Sequence, residues 1–487
     1  MHRPGLNPPP RSGRRRLSRA THAGLAALLP ALLAGGAAAQ SVSVNAETFT
    51  LPNGLTVILH QDTTTPTIAT NIWYHVGSAH ERPGRTGFAH LFEHIMFEGS
   101  ANVPEGKIDE WFAEVGGGPN GSTAPDRTNY MQSFASNALD MALFIESDRM
   151  GHLLEAMSPA SVDGQRDVVK NERRQSYDNR PYGLADQVVR EAMYPPSHPY
   201  SWPVIGYMDH LSAAAYDDVA QFFRTYYAPN NASLAITGDI DVEEARRLAT
   251  KWFSGLPRSA PPAPLEAAPP VIASQQRLAL EDRVQLPRLV LTWVSPAAFA
   301  DDDASMLALA DLLAGGKNAR LYQKLVYELQ IADDVRAWQD SRKLNGEFVI
   351  SATARAGHTL EELYDVIVAE LGRVAGEPPA AREVERIVNQ NELAFLERLE
   401  RVATKADMLN EYFFYVGTPE YFEEDLARQR AVTPAELSAA VKRWLDPQRA
   451  IVLSIVPNGR TELAVPESRV VPNENLENSP AARKTAT

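Results

Sequence analysis

Residues 257–271 divide this 487-residue chain in two, and that division constrains its fold more than any other feature. The stretch runs Pro257-Arg258-Ser259-Ala260-Pro261-Pro262-Ala263-Pro264 and on to Pro269-Pro270. So much proline excludes a helix and predicts a semi-rigid linker. The flanking pieces, 45–256 and 272–458, are similar in size and close alike. In the first, Phe222-Phe223-Arg224-Thr225-Tyr226-Tyr227 leads through Pro229 into the apolar run 232–236. In the second, Val441-Lys442-Arg443-Trp444 leads through Pro447 into 450–455. A helix, a proline turn and a buried strand at matching places predict a duplicated domain.

Alternation from 49 to 60 around Pro52-Asn53-Gly54 predicts a hairpin, and 67–76 a further strand. Helical periodicity covers 302–314, 359–375 and a long run at 381–416. The expected class is α+β: two tandem homologous domains, each a mainly antiparallel sheet packed with helices. Residues 459–487 are polar with scattered prolines and are expected to form a disordered tail.

The first 39 residues differ from the rest. Arg11, Arg14, Arg15, Arg16 and Arg19 precede an apolar run from 23 to 33, which leads to Ala37-Ala38-Ala39. This order of basic, apolar and small residues predicts a cleaved signal peptide and a periplasmic or secreted protein. Arg14-Arg15-Arg16-Leu17 hints at twin-arginine export. No comparable apolar run follows, so no membrane span is expected after cleavage. The segment carries six arginines and no acid, so its removal takes the formal charge from −14 to −20. So acidic a chain is a poor partner for nucleic acid or anionic lipid. There is no cysteine, which excludes disulfides, thiolate metal ligands and a thiol nucleophile. Any metal site must use His, Asp and Glu.

His90-Leu91-Phe92-Glu93-His94 fits that restriction. On a helix spanning 86–98, the two histidines lie one turn apart on one face, where both can grip one metal ion. Glu93 stands beside them, able to take a proton from a metal-bound water, the arrangement of an inverted zinc-peptidase motif. A catalytic zinc takes three protein ligands and leaves one position open. The third candidate is Glu172, in Arg166-Asp167-Val168-Val169-Lys170-Asn171-Glu172-Arg173-Arg174, a stretch helical by period that Val168 and Val169 can pin to the core. Spacing leaves Asp163, Asp167 and Asp178 as rivals.

The segment from His90 to Gly99 resembles the active-site helix of the pitrilysin and mitochondrial-processing-peptidase family. Val168-Val169-Lys170-Asn171-Glu172-Arg173-Arg174-Gln175-Ser176-Tyr177 is similar to the segment bearing that family's third ligand. Gly116-Gly117-Gly118-Pro119-Asn120-Gly121-Ser122-Thr123, with Asp126, Thr128 and Tyr130, resembles its substrate-edge strand. His198-Pro199-Tyr200 and Val204-Ile205-Gly206 resemble its next landmark. The likeness spans about 45–458. It implies half of a clamshell around an extended peptide, one zinc per chain held by His90, His94 and Glu172, and Glu93 as general base. It also implies that Asn120, Gly121, Ser122 and Thr123 bind the substrate by strand addition.

Two positions depart from the family pattern. Relatives often carry a carboxylate seven residues before the third ligand, as support for it; here that position is Gln165. Many also carry an Arg and a Tyr in the second half that bind the substrate carbonyl; Val326 and Asp333 align there. The expectation is a homologous companion subunit that supplies the Arg and Tyr. The alternative is a homodimer or monomer in which Arg320, Tyr322 or Tyr327 substitutes. A non-catalytic peptide-binding or assembly subunit is the competing function, against which the intact motif argues.

Overall fold

In the computed structural model, which describes residues 43–485, each half is built on one six-stranded sheet. The first half uses β1 (Glu47–Thr50), β2 (Thr56–Gln61), β3 (Thr67–Tyr74), β4 (Gly118–Thr123), β5 (Thr128–Ala135) and β6 (Ala232–Gly238). The second uses β7 (Gln276–Asp282), β8 (Arg288–Ser295), β9 (Ala332–Asp340), β10 (Gly346–Ala354), β11 (Ile451–Pro457) and β12 (Arg469–Val471). Their orders, β1-β2-β6-β3-β5-β4 and β12-β7-β11-β8-β10-β9, correspond from β2 to β4 and from β7 to β9, while the outer strands β1 and β12 come from opposite ends of their halves. β2–β6 and β7–β11 are parallel, the outer pair is antiparallel at β1–β2 but parallel at β12–β7, and the three pairings that follow in each sheet are antiparallel. The duplicated α+β architecture is present in topology. The central strands β6 and β11 each follow a single turn of helix opened by Pro229 or Pro447.

β6 is buried along its whole length because it is covered on both faces. Leu234 and Ile236 face the core of their own half, with Phe92, Phe223 and Tyr227. Ala235 faces the other way, onto Ala406, Met408 and Leu409 of a second-half helix, Val402–Val416. The loan is returned. Val188, Val189 and Met193 of the first-half helix Ala185–Met193 cover Leu278, Leu280, Ile451 and Leu453 of the second sheet. Polar contacts fix both crossings. Lys405 pairs with Asp62, and Asn410 Nδ2 donates to Asn71 O (2.8 Å). Tyr200 OH donates to Asp126 Oδ1 (2.6 Å), whose other oxygen accepts from Lys343 N (2.9 Å). The family landmark at His198-Pro199-Tyr200 is therefore a joint between the halves.

Three expectations need correction. The helical run 381–416 is two helices, Ala381–Arg398 and Val402–Val416. The chain breaks at Arg401, which is extended (φ −106°, ψ 128°). The first piece packs Val384 and Ile387 into its own half, whereas the second must turn to reach the other sheet. Residues 459–485 are not a disordered tail. β12 pairs in parallel with β7, a short helix forms at Pro480–Thr485, and Leu476 is 1% exposed. Nor does Val168 help to pin its helix: Val169 is buried, but Val168 is 45% exposed. The linker 257–271 forms no helix or strand, and the export segment 1–39 lies outside the described residues. No helix among the described residues is long and apolar enough to cross a membrane.

Candidate metal centre

The motif helix, Phe88–Ile95, buries Phe88, Leu91, Phe92 and Ile95, the i, i+3, i+4, i+7 face of an amphipathic helix. His90, Glu93 and His94 fall on the remaining face. The helix begins at Gly87, whose φ of +89° suits glycine. A Cβ there would come within 2.8 Å of Ile205 O, and one on Gly206 within 2.4 Å of Gly87 Cα. The Val204-Ile205-Gly206 landmark is thus the surface on which the motif helix starts.

Glu81 completes that start. Its carboxylate accepts from Gly87 N (2.9 Å) and Ala89 N (2.8 Å), placing an acid at the helix N-terminus. Burial pushes its carboxyl up to about 8, against the pull of those N–H groups. Sequence reading missed Glu81 because it caps from six residues upstream, through a loop whose path only the fold defines.

Glu172 lies on the helix Pro159–Arg173. Ser158 caps this helix, accepting from Ser161 N (3.1 Å), with Pro159 in its first turn. Beyond Arg173 the helix widens into a π turn, Arg174–Asp178. Glu172 Oε2 stands 3.2 Å from His94 Nε2 and 3.7 Å from His90 Nε2. One donor atom from each of the three residues falls within 4.8 Å of the others, and this is the one such His/Asp/Glu group among the described residues. Asp163 and Asp167 pair instead with Arg166 and Lys170, and Asp178 with Arg173.

Two imidazole nitrogens and one carboxylate oxygen, converging without a protein cation between them, form a donor set suited to zinc. Burial holds His90 below the usual imidazole range, favouring the neutral form that can offer a lone pair. The hydrogen bond from His94 holds Glu172 below the usual carboxylate range. His90 Nδ1 is buried without a hydrogen-bond partner. Gln165 does not support a ligand. Two turns before Glu172 it lies about 10 Å along the helix axis, and its amide donates to Glu98 Oε1 (2.5 Å).

Strand β4 forms the wall beside Glu93. It is the last strand of its sheet, so its outer edge is unpaired among the described residues. Thr123 Oγ1 donates to Glu93 Oε2 (2.7 Å). Gly121 lets the strand approach, since a Cβ there would lie 3.0 Å from Glu93 Cγ and 3.2 Å from Phe97 Cε2. Ser122 is turned to β5, donating to Asn129 Oδ1 (2.7 Å), while exposed Asn120 accepts from Gly121 N (2.9 Å).

In the second half, Val326 is buried in the core and Asp333 is exposed. Arg320 is held by Glu383 (2.7 and 3.0 Å) and Glu370 (3.3 Å). Tyr322 and Tyr327 pack ring to ring at 5.5 Å. Beyond Glu172, a cleft of about 440 Å³ is lined by Tyr177, Tyr182, Arg288 and Trp338.

The family model described as "Insulinase (Peptidase family M16)" matches residues 56–197, and that described as "Peptidase M16 inactive domain" matches 213–391. A Helicobacter pylori protein named zinc protease PqqE is 29% identical over 395 residues, covering 80% of this chain and 88% of that protein. An Arabidopsis thaliana protein named as a probable beta subunit of the mitochondrial-processing peptidase is 22% identical over 425 residues, covering 84% and 78%. The crystal structure of a protease from Helicobacter pylori superposes with a TM-score of 0.80 at 26% identity, covering 85% of this chain and all of that one.

Proposed function

The chain belongs to the M16 peptidase family, and on that premise we propose that it is an exported zinc-dependent endopeptidase acting on peptides and unfolded segments. The observation that carries the reading is the convergence of His90, His94 and Glu172 beside a Glu93 fixed by the edge strand. Zinc, held by those three side chains, would supply a Lewis acid and bring a water to a pKa near 7. Glu93 takes the proton from the attacking water and returns it to the departing amine. The Thr123 hydroxyl engages one carboxylate oxygen and leaves the other for that proton. The open edge of β4 offers backbone N–H and C=O groups to an extended peptide, so recognition asks little of its side chains. Chain length and unfolding, more than sequence, then select the substrate. Relatives named as zinc proteases and the intact motif disfavour a purely structural subunit.

The charge that develops on the scissile carbonyl needs a donor besides the metal, and loss of one such donor costs about 10²–10³ in rate. Buried Val326 cannot donate, and Arg320 is committed to two carboxylates. These observations favour a homologous companion subunit that brings the missing Arg and Tyr.

The test is a zinc assay with turnover of a quenched peptide, on the purified chain, its Glu93→Gln variant and the chain with a companion. Zinc bound at one per chain, with turnover abolished by Glu93→Gln, supports the enzyme. A chain that binds no zinc overturns it. Full activity from the isolated chain, unchanged by the companion, removes the companion from the account.

A further inference from the structure

The C-terminal segment runs from the second sheet to the back of the candidate metal centre. After β12 the chain leaves β7 and crosses to the first half. There Leu476, 1% exposed, joins the cluster built on Val188, Val189 and Met193. Its carbonyl oxygen accepts from Gln187 Nε2 (2.6 Å) and Arg173 Nη2 (3.4 Å). Glu477 O accepts from Met208 N (2.8 Å). Ser479 donates from N to Asp209 Oδ1 (2.8 Å) and from Oγ to Asp209 Oδ2 (2.7 Å). Arg483 Nη2 closes the series on Glu191 Oε1 (2.6 Å).

What this segment holds is the guanidinium next in sequence to Glu172. Arg173 is fully buried. Its Nη1 donates to Gly206 O (2.6 Å), and its Nη2 to Gln187 Oε1 (2.7 Å). Gly206 lies against Gly87, where the histidine helix begins. Arg173 therefore links the segment that carries Glu172 to the start of the helix that carries His90 and His94. The Leu476 carbonyl closes this frame from behind. Asp178 Oδ1 lies 3.4 Å from Arg173 Nη2, while Nε has no hydrogen-bond partner. This buried cation has few acceptors to spare, so loosening one would let Arg173 shift, and Glu172 with it.

We propose that residues 472–483 are a positioning strap for the metal centre: the chain's own C-terminal segment sets the placement of Glu172 through Arg173. This rests on the reading of Glu172 as a ligand. The strap touches no substrate and no candidate ligand, and acts by fixing their support. Such outer contacts are worth about 10–100-fold in metal affinity.

The experiment compares the full chain with one ending at Val471, which retains β12. Zinc affinity is measured by competition with a chromophoric chelator, and hydrogen exchange of residues 169–178 is followed in the metal-free proteins. The shortened chain should bind zinc about 10–100-fold more weakly and exchange faster over 169–178. Adding a synthetic peptide of residues 472–487 should restore both. A full-length Ser479→Ala/Arg483→Gln variant loosens two anchors without touching Arg173. It should move both readouts the same way by a smaller factor, and it decides the matter where the shortened chain does not fold. Unchanged zinc affinity and unchanged exchange in that double variant overturn the strap. If the full chain binds no zinc, the metal reading fails; the exchange measurement on metal-free protein still decides the strap.

Discussion

The motif helix Phe88–Ile95 and the second-half helix Asp303–Ala314 occupy the same place in the two halves, following β3 and β8, the fourth strands of the shared order, and preceding β4 and β9, the last. The first is covered on one face, leaving His90 and His94 with side chains 12% and 25% exposed. The second is buried nearly all round, from Ala304 through Leu309 to Leu313, in the same core as Ile387 and Val441 of neighbouring helices. Histidines placed there would be desolvated, with no route for a substrate. The edge strands differ likewise. β4 is small-residue backbone at Gly118–Thr123, whereas β9 carries Arg336, Trp338 and several acids. One scaffold thus supports chemistry where a helix face is left uncovered beside a small-residue edge strand, and serves as structure where that face is packed into the core.

The sharpest way to break this comparison is to remove the ligands. His94→Ala or Glu172→Ala should abolish zinc binding and turnover together, while Glu93→Gln should keep zinc and lose roughly 10²–10⁴ in kcat. Full zinc occupancy in Glu172→Ala, by metal analysis, would return Asp167 and Asp178 to consideration. Closing the uncovered edge comes next. Gly121→Val would force side-chain atoms onto Glu93 and Phe97, and turnover should fall about 10²-fold with zinc retained. Thr123→Val, which deletes one hydrogen bond to Glu93, should cost about fivefold in kcat, with little change in KM.

The smallest catalytic effect is expected at the joint between the halves. Burial alone would raise the Glu347 carboxyl, but Arg342 and Arg190 outweigh it and hold the group at about 2, below its usual 4.5. A depressed carboxyl stabilises the fold above the unfolded value, and that stability is lost as pH falls from about 4.5 towards 2. Melting temperature should therefore drop steeply over that window in the native chain. Glu347→Gln should flatten the drop yet leave neutral-pH turnover within about twofold, because Glu347 meets arginines at the joint. An unchanged acid profile in the variant would show that the joint is set by packing.

What was legible in the sequence was local. The spacing of His90 and His94, the hairpin at Pro52-Asn53-Gly54 and the twin proline turns follow from helix pitch and turn chemistry within a few residues. Glu172, 78 residues beyond His94, was found by resemblance, since spacing alone left three aspartates in play. The misreadings concern distant partners. The tail looked disordered because its composition is polar, and its few apolar or carbonyl contacts lie almost 300 residues away, at Gln187. Helix 381–416 looked continuous because nothing local signals that its second part belongs to the other sheet. Gln165 stands where relatives carry support for the third ligand, and its meeting with Glu98 was not legible because a position on a helix face does not give the neighbour that comes to meet it.

The helix Val402–Val416 has a consequence for how the molecule is made. The first sheet is complete once Gly238 has been synthesised, yet Ala235, Ile58 and Ala69 remain uncovered until that helix arrives. At ribosomal speed the delay is roughly 10–40 s. Throughout it, a finished sheet shows an apolar face and an unpaired edge, a surface prone to aggregation. The contacts that end this exposure join residues such as Ser233 and Asn410, 177 positions apart, and Asn71 and Asn410, 339 apart, and such long-range closure is slow. Neither half should fold alone at useful yield, and the nascent chain should depend on a holding chaperone until its second half is complete.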